Sequence, residues 1–96
     1  MRMKRNTTSY RLPGRKIRSL EEFYDVISMK LSLPGYFGRN LDALWDVLTT
    51  DVKGPVEIIW EDSAVSKQAM GPIYDRVSAL LADVQKERAD FRVIFR

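Results

Sequence analysis

The apolar positions of this chain switch repeatedly between a strand period and a helix period, and a cap or a breaker stands at most of the switches. Thr8 to Leu12 alternates in a short extended pattern and stops at Pro13-Gly14, a turn pair, which predicts a first strand. Ser19-Leu20-Glu21-Glu22 fits a capping box, in which the Ser and a Glu three residues on satisfy each other's orphan amides. Leu20, Phe23, Tyr24, Ile27 and Leu31 then share one face of a helix that ends before Pro34. Pro34 to Gly38 reads as a loop leading into a second helix, with Asn40 as its N-cap and Leu41, Leu44, Val47 and Leu48 as its inner stripe. Lys53-Gly54-Pro55 turns the chain into Val56 to Trp60, a dense β-branched run and the clearest strand. Asp62 or Ser63 can cap a short helix through Met70, and Pro72 suits the first turn of a further one. The inner face of that last helix is Ile73, Val77, Leu80, Leu81 and Val84, with Lys86 and Arg88 favourably placed near its C-terminus. Phe91 to Phe95 closes the chain as an apolar strand with Arg92 turned outward. Strands alternating with helices predict an α/β fold with a parallel sheet and right-handed crossovers.

The second helix carries another stripe beside its leucines: Asp42, Trp45, Asp46 and Thr49, spaced i, i+3, i+4, i+7. Asp42 lies in the first turn, where the positive end of the helix dipole favours a carboxylate. Asp46 lacks that support and sits four residues from another acid, an arrangement that costs an isolated helix roughly 0.2–0.5 kcal/mol. Two readings fit this pattern. One is a solvated surface with Trp45 edging into the core; the other is a face arranged for a partner.

Composition removes most other chemistry. The chain has no cysteine and no histidine, so it lacks a disulfide framework, thiol chemistry and the commonest general base and transition-metal ligand. Cysteine-free composition is compatible with a reducing cytoplasm, the expected location. No run reaches the length of a membrane span, no apolar segment follows the basic start as a signal peptide requires, and no membrane association is expected. P-loop, dinucleotide and nucleophile-elbow motifs are absent, and Asp42 and Asp46 lie one turn apart without a pocket or an oxyanion site, so no enzyme activity, cofactor or metal is expected. The net charge of +3 conceals a division: residues 1–19 hold seven cations and no acid, which leaves −4 for the remainder. Residues 40–62 alone carry six acids against Lys53. A basic flexible tail is therefore expected over residues 1–7 and a single domain over 8–96. The tail could touch nucleic acid, although short basic starts are commonly only solubilising.

The run Gly-Arg-Asn-Leu-Asp-Ala-Leu-Trp-Asp, Gly38 to Asp46, resembles the signature of the barstar family, inhibitors of barnase-like ribonucleases. Weaker similarity extends from about Thr8 to the C-terminus through Gly14 with Ile17-Arg18-Ser19, Leu33-Pro34, Pro55, Trp60, Ser66-Lys67-Gln68 and the last apolar run. The resemblance implies a small three-stranded parallel sheet packed with about four helices. It also implies that an acidic helix and its preceding loop block the active site of a guanyl-specific microbial ribonuclease, as a monomer in a 1:1 complex. By the same resemblance Asp46 enters the catalytic site as a phosphate mimic and Asp42 lies near the guanine-recognition region. Tyr36, Gly38, Asn40, Trp45 and Thr49 match the surrounding contact surface. Phe37 and Arg39 are expected to join it at positions where the chain departs from the family, and Asp83 on the last helix falls where the family makes a peripheral ionic contact.

The chain departs from the family prototype in ways that bear on the partner. Arg39 stands where the prototype has an acid, Phe37 lacks a hydroxyl, Thr50 replaces a helix-ending Gly, and the prototype is strongly acidic overall. Arg39 either selects a partner with a compensating acid or is a surface substitution without consequence. The alternative functions are immunity or regulation directed at another toxin, and a nucleic-acid-associated module using the basic arm. The acidic helix weighs against the last, because it repels phosphate; direct nucleic-acid binding is not expected.

Overall fold

The fold is organised on the β-branched run, whose residues Ile58, Ile59 and Trp60 are all buried although they point alternately to opposite faces. This strand, β2 (Val56–Glu61), is the middle of three parallel strands, flanked by β1 (Thr8–Pro13) and β3 (Phe91–Phe95). The register sets Leu12 beside Trp60 and Tyr10 beside Ile58 on one side, and Val93 beside Ile58 on the other. The computed structural model describes residues 7–96, so the expected basic tail lies, apart from Thr7, outside the described residues. Among the described residues four α-helices complete the α/β fold: α1 (Leu20–Leu31), α2 (Leu41–Asp46), α3 (Ser63–Met70) and α4 (Pro72–Glu87).

The helices leave one sheet face open. On it Ser9 donates to Glu57 across 2.8 Å and Arg11 pairs with Glu61. Parallel sheets are usually covered on both faces; here cross-strand polar pairs line the uncovered side around Ile59. The other face meets the helical stripes, and Phe23, Ile27, Leu44, Leu48, Val77, Leu81 and Val84 are fully dry, as their spacing predicts. Leu20, Leu41, Ile73 and Leu80 sit half-buried at the edges of that core. Tyr74 joins it unforeseen, its ring stacked 5.2 Å from that of Trp60, which also stacks 5.3 Å from Phe23.

Three landmarks scattered through the sequence meet at Trp60. Its indole Nε1 donates to the buried Ser66 Oγ (3.0 Å), and that hydroxyl donates to the Gly14 carbonyl (2.8 Å). This chain of bonds satisfies polar atoms that would otherwise be stranded in the core. Gly14 itself has no room for a side chain, since a Cβ there would stand 2.2 Å from the Glu61 carbonyl oxygen.

Two expected caps are built differently. Ser19 Oγ accepts from the Glu22 amide (3.1 Å), but the Glu22 carboxylate turns to Arg18, accepting from its amide (2.9 Å) and its guanidinium (2.9 Å). A charged fork outcompetes a lone amide for a carboxylate, and the bond to Arg18 holds the Glu22 carboxyl below its ordinary range. Asp62 occupies a left-handed conformation (φ 50°) and makes no side-chain cap to α3; its carboxylate pairs with Arg15. The start of α3 is instead tied to the chain end, with Ser63 donating from its amide (2.8 Å) and hydroxyl (2.9 Å) to the Arg96 carbonyl.

Candidate functional site

The acidic helix is short and is held at both ends. Asn40 caps it as its residue type predicts, Oδ1 accepting from the Ala43 amide at 2.8 Å. The α-helical hydrogen bonding lasts only to Asp46, and Val47–Asp51 then widens into a π-helical turn, where the sequence pattern alone suggests a longer regular helix. Thr49 and Thr50 hydroxyls donate back to the carbonyls of Trp45 (2.7 Å) and Asp46 respectively. Such back-bonding supplies donors to carbonyls where the turn departs from α geometry.

At the C-terminal end of the turn stands Arg88, whose Nη1 donates to the carbonyls of Leu48 (2.7 Å) and Val52 (2.8 Å). Its other nitrogens grip Asp90 at 2.8 and 2.9 Å, and the side chain is only 14% exposed. A cation at this end complements the helix dipole and satisfies orphan carbonyls together. The sequence places Arg88 at the end of its own helix; the side chain serves a different one. Its signal is faint, an Arg two residues ahead of an Asp at a helix-to-strand junction. Gly54 completes the arrangement, because a Cβ there would lie 2.3 Å from an Asp90 carboxylate oxygen and 2.7 Å from the Arg88 guanidinium.

The loop before α2 is fastened too. The Phe37 amide donates to the Pro34 carbonyl (2.9 Å), and the Phe37 ring meets Tyr24 edge-on at 5.7 Å. Loss of the prototype's hydroxyl is thus compatible with a half-buried ring anchored on the core. Tyr36 Oη donates to the Asp51 carboxylate (2.9 Å), joining the loop to the end of the π turn; that bond raises the phenol's pKa. The Tyr36 ring remains 79% exposed and open to a partner.

Arg39 takes the left-handed conformation (φ 53°), which turns it back onto α1. One guanidinium nitrogen reaches Asp25 (2.9 Å) and Glu21 (3.0 Å), and the group lies 5.6 Å from the centre of the Tyr24 ring. These bonds, Asp25 first, lift its already high pKa. The Arg39 charge, whether it selects a partner or is a surface substitution, is therefore compensated by acids of α1. Arg39→Glu places a third acid beside Asp25 and Glu21, so its expected result is a lower urea midpoint at low salt. High salt should restore much of the difference by screening; a midpoint unchanged at both salts would show that the pairs hold nothing.

Two hollows flank the crest of α2. Asp46 lies beside the loop in one, with Tyr36, Phe37, Gly38 and Asp51 around it. Asp42 and Trp45 line the other, a groove against α4 that also contains Asp83 and Arg76. Arg39 and Asn40 adjoin Asp42 in a third depression at the start of α2. Thr49 is half-buried and committed to the helix backbone. Trp45 is half-buried against the core, as the first reading of its stripe expects, and its ring also lines the groove. Asp42 and Asp46 are exposed, and among the described residues nothing donates to either carboxylate.

The basic residues tell a different story. Arg11, Arg15 and Arg18 are all ion-paired, with Glu61, Asp62 and Glu22. Among the described residues no cluster of acids is placed to hold a metal ion, and no helix is long and apolar enough to cross a membrane.

The chain is similar to a known family and to a curated relative. The family described as Barstar (barnase inhibitor) matches residues 7–96. A protein of Bacillus subtilis (strain 168) named "Putative ribonuclease inhibitor YrdF" is 36% identical over 84 residues, which span 86% of this chain and 92% of that protein.

Proposed function

The chain belongs to the barstar family, and on that premise we propose that it inhibits a guanyl-specific, barnase-like microbial ribonuclease by plugging the active site with α2 and the loop before it. The observation that carries this reading is the contrast within the site. The backbone is secured by Asn40, Arg88 and the Tyr36–Asp51 bond, while the two outward carboxylates, Asp42 and Asp46, have no partner among the described residues. A ribonuclease cleft holds phosphate with cationic side chains, so a preformed carboxylate can occupy the phosphate position through charge-assisted hydrogen bonds. Because the segment is already ordered, little conformational entropy is lost on docking.

Each site residue has a role in this reading. Asp46 enters the phosphate-binding cleft from its hollow beside Tyr36, Phe37 and Gly38. Asp42 and Asn40 lie toward the base-recognition side, Trp45 supplies apolar surface, Thr49 supports the helix end, and Asp83 adds a charge at the rim. Arg39 shapes the loop through α1. The protein acts by occupancy and catalyses nothing, as a monomer in a 1:1 complex formed in the cytoplasm, where cellular RNA needs protection. The second reading, nucleic-acid binding through the basic arm, gains no support from Arg11, Arg15 or Arg18, whose charges are already compensated.

Titrating barnase with this protein should abolish RNA cleavage at a 1:1 end point. Saturating guanosine 3′-monophosphate should compete with the inhibitor and raise its apparent Kd. Binding that is undiminished by the mononucleotide would place the contact away from the catalytic cleft and sink the plug.

A further inference from the structure

The groove between α2 and α4 contains one feature that a purely acidic plug does not explain. Arg76, on α4, lines both this groove and the depression at the start of α2, and Asp42 lines both with it. Arg76 is exposed, and among the described residues it has neither a hydrogen bond nor an ion pair. Arg39, the other cation of the depression, is taken up by Asp25 and Glu21. Asp83 lies seven residues on from Arg76 along α4, hence close to the same helix face and about 10 Å away. The face beside the plug thus reads acid, base, acid, with half-buried Trp45 and Leu80 between.

Resting on the reading given above, we propose that Arg76 recognises an acidic side chain on the cognate ribonuclease and acts as a specificity determinant for it. A nuclease that brings cations to Asp42 and Asp46 also brings positive potential to Arg76. Like charges set against each other in an interface are strongly unfavourable. The arrangement becomes favourable where the nuclease sets an aspartate or glutamate opposite Arg76, between the cations that serve Asp42 and Asp83. Arg76 and Asp42 are not paired with each other, so each can take a partner group of opposite sign. Ribonucleases that are cationic at that point are rejected, which is specificity obtained through repulsion.

The test uses a display library of catalytically inactivated barnase, randomised at surface positions around its active site and selected for binding to the full chain. Selection on wild type should enrich Asp or Glu at one cluster of positions, and selection on Arg76→Glu should enrich Lys or Arg there. Exchanging the selected clones between the two baits should cost about tenfold or more in affinity, mostly in association rate at low salt. Recovery of the same residues with both baits, from clones that still lose binding to Asp46→Ala, would overturn the role of Arg76 and leave the plug intact. Clones indifferent to Asp46→Ala would overturn the plug itself, and the assignment of Arg76 with it.

Discussion

Asp46→Ala is expected to weaken inhibition of the ribonuclease by at least ~2 kcal/mol while leaving the free protein no less stable. The binding figure follows from stranding: truncating one partner of a buried interfacial charge pair leaves the other desolvated and unpaired. Barnase and barstar are themselves the reference complex for that magnitude. The stability half comes from this structure. The Asp46 carboxylate accepts no bond among the described residues, and it sits one turn from Asp42 and near Asp51. Removing its charge relieves like-charge repulsion worth a few tenths of a kcal/mol in an isolated helix. A structural acid would behave oppositely, since losing an internal hydrogen bond typically costs ~1 kcal/mol. Asp83→Ala, at the rim and near Lys86 at 4.0 Å, should lose much less affinity. Urea unfolding at low and high salt, set beside inhibition assays, separates the cases. A clear fall in the Asp46→Ala midpoint would mean that this residue holds the helix together, and its assignment to the partner would lose its main support.

Arg88→Ala should show the reverse pattern, with a loss of about 3 kcal/mol in folding stability. One nitrogen serves the Leu48 and Val52 carbonyls, and the side chain is largely sheltered. Hydrogen bonds to charged groups contribute about 1.5–3 kcal/mol each, and an acceptor left buried without a donor costs a similar amount. Arg88→Lys should recover only part of this, since a single ammonium cannot span two carbonyls and Asp90 as the planar fork does. The pH dependence provides a second readout. The bond to Arg88 holds the Asp90 carboxyl below its ordinary 3.8. A lowered folded-state pKa contributes stability that is complete above the unfolded value and fades as pH falls through the folded one. In Arg88→Ala that part of the acid-side loss should disappear, although Asp90 is 47% exposed and solvent screening keeps its share small. An Arg88→Ala midpoint within a few tenths of a kcal/mol of wild type would show that water replaces the guanidinium without penalty.

Local pattern by itself determined the order of elements, and its reliability has a simple cause. Burial follows the geometric period of a strand or a helix, so the stripes at Leu20–Leu31, Leu41–Leu48 and Ile73–Val84 identify their inner faces without knowledge of what covers them. Caps that act within three residues, such as Asn40 to Ala43 and Ser19 to Glu22, are legible for the same reason. The acidic stripe of the candidate site was legible as well, in that Asp42, Trp45 and Asp46 share one short helix and the family signature runs through them. What tertiary structure decided are the partners of long side chains. Arg39 meets Glu21 and Asp25, 18 and 14 residues earlier, because a left-handed residue turns the loop onto α1. Arg88 reaches back 40 residues to Leu48 and 36 to Val52, and Ser63 is bonded to the chain end 33 residues on. Charge and residue type announce that such groups need partners; only the path of the chain through space decides which donor reaches which acceptor. The same holds for the two hollows, where residues one turn apart on α2 face different neighbours because one flank packs beside the Tyr36–Gly38 loop and the other beside α4.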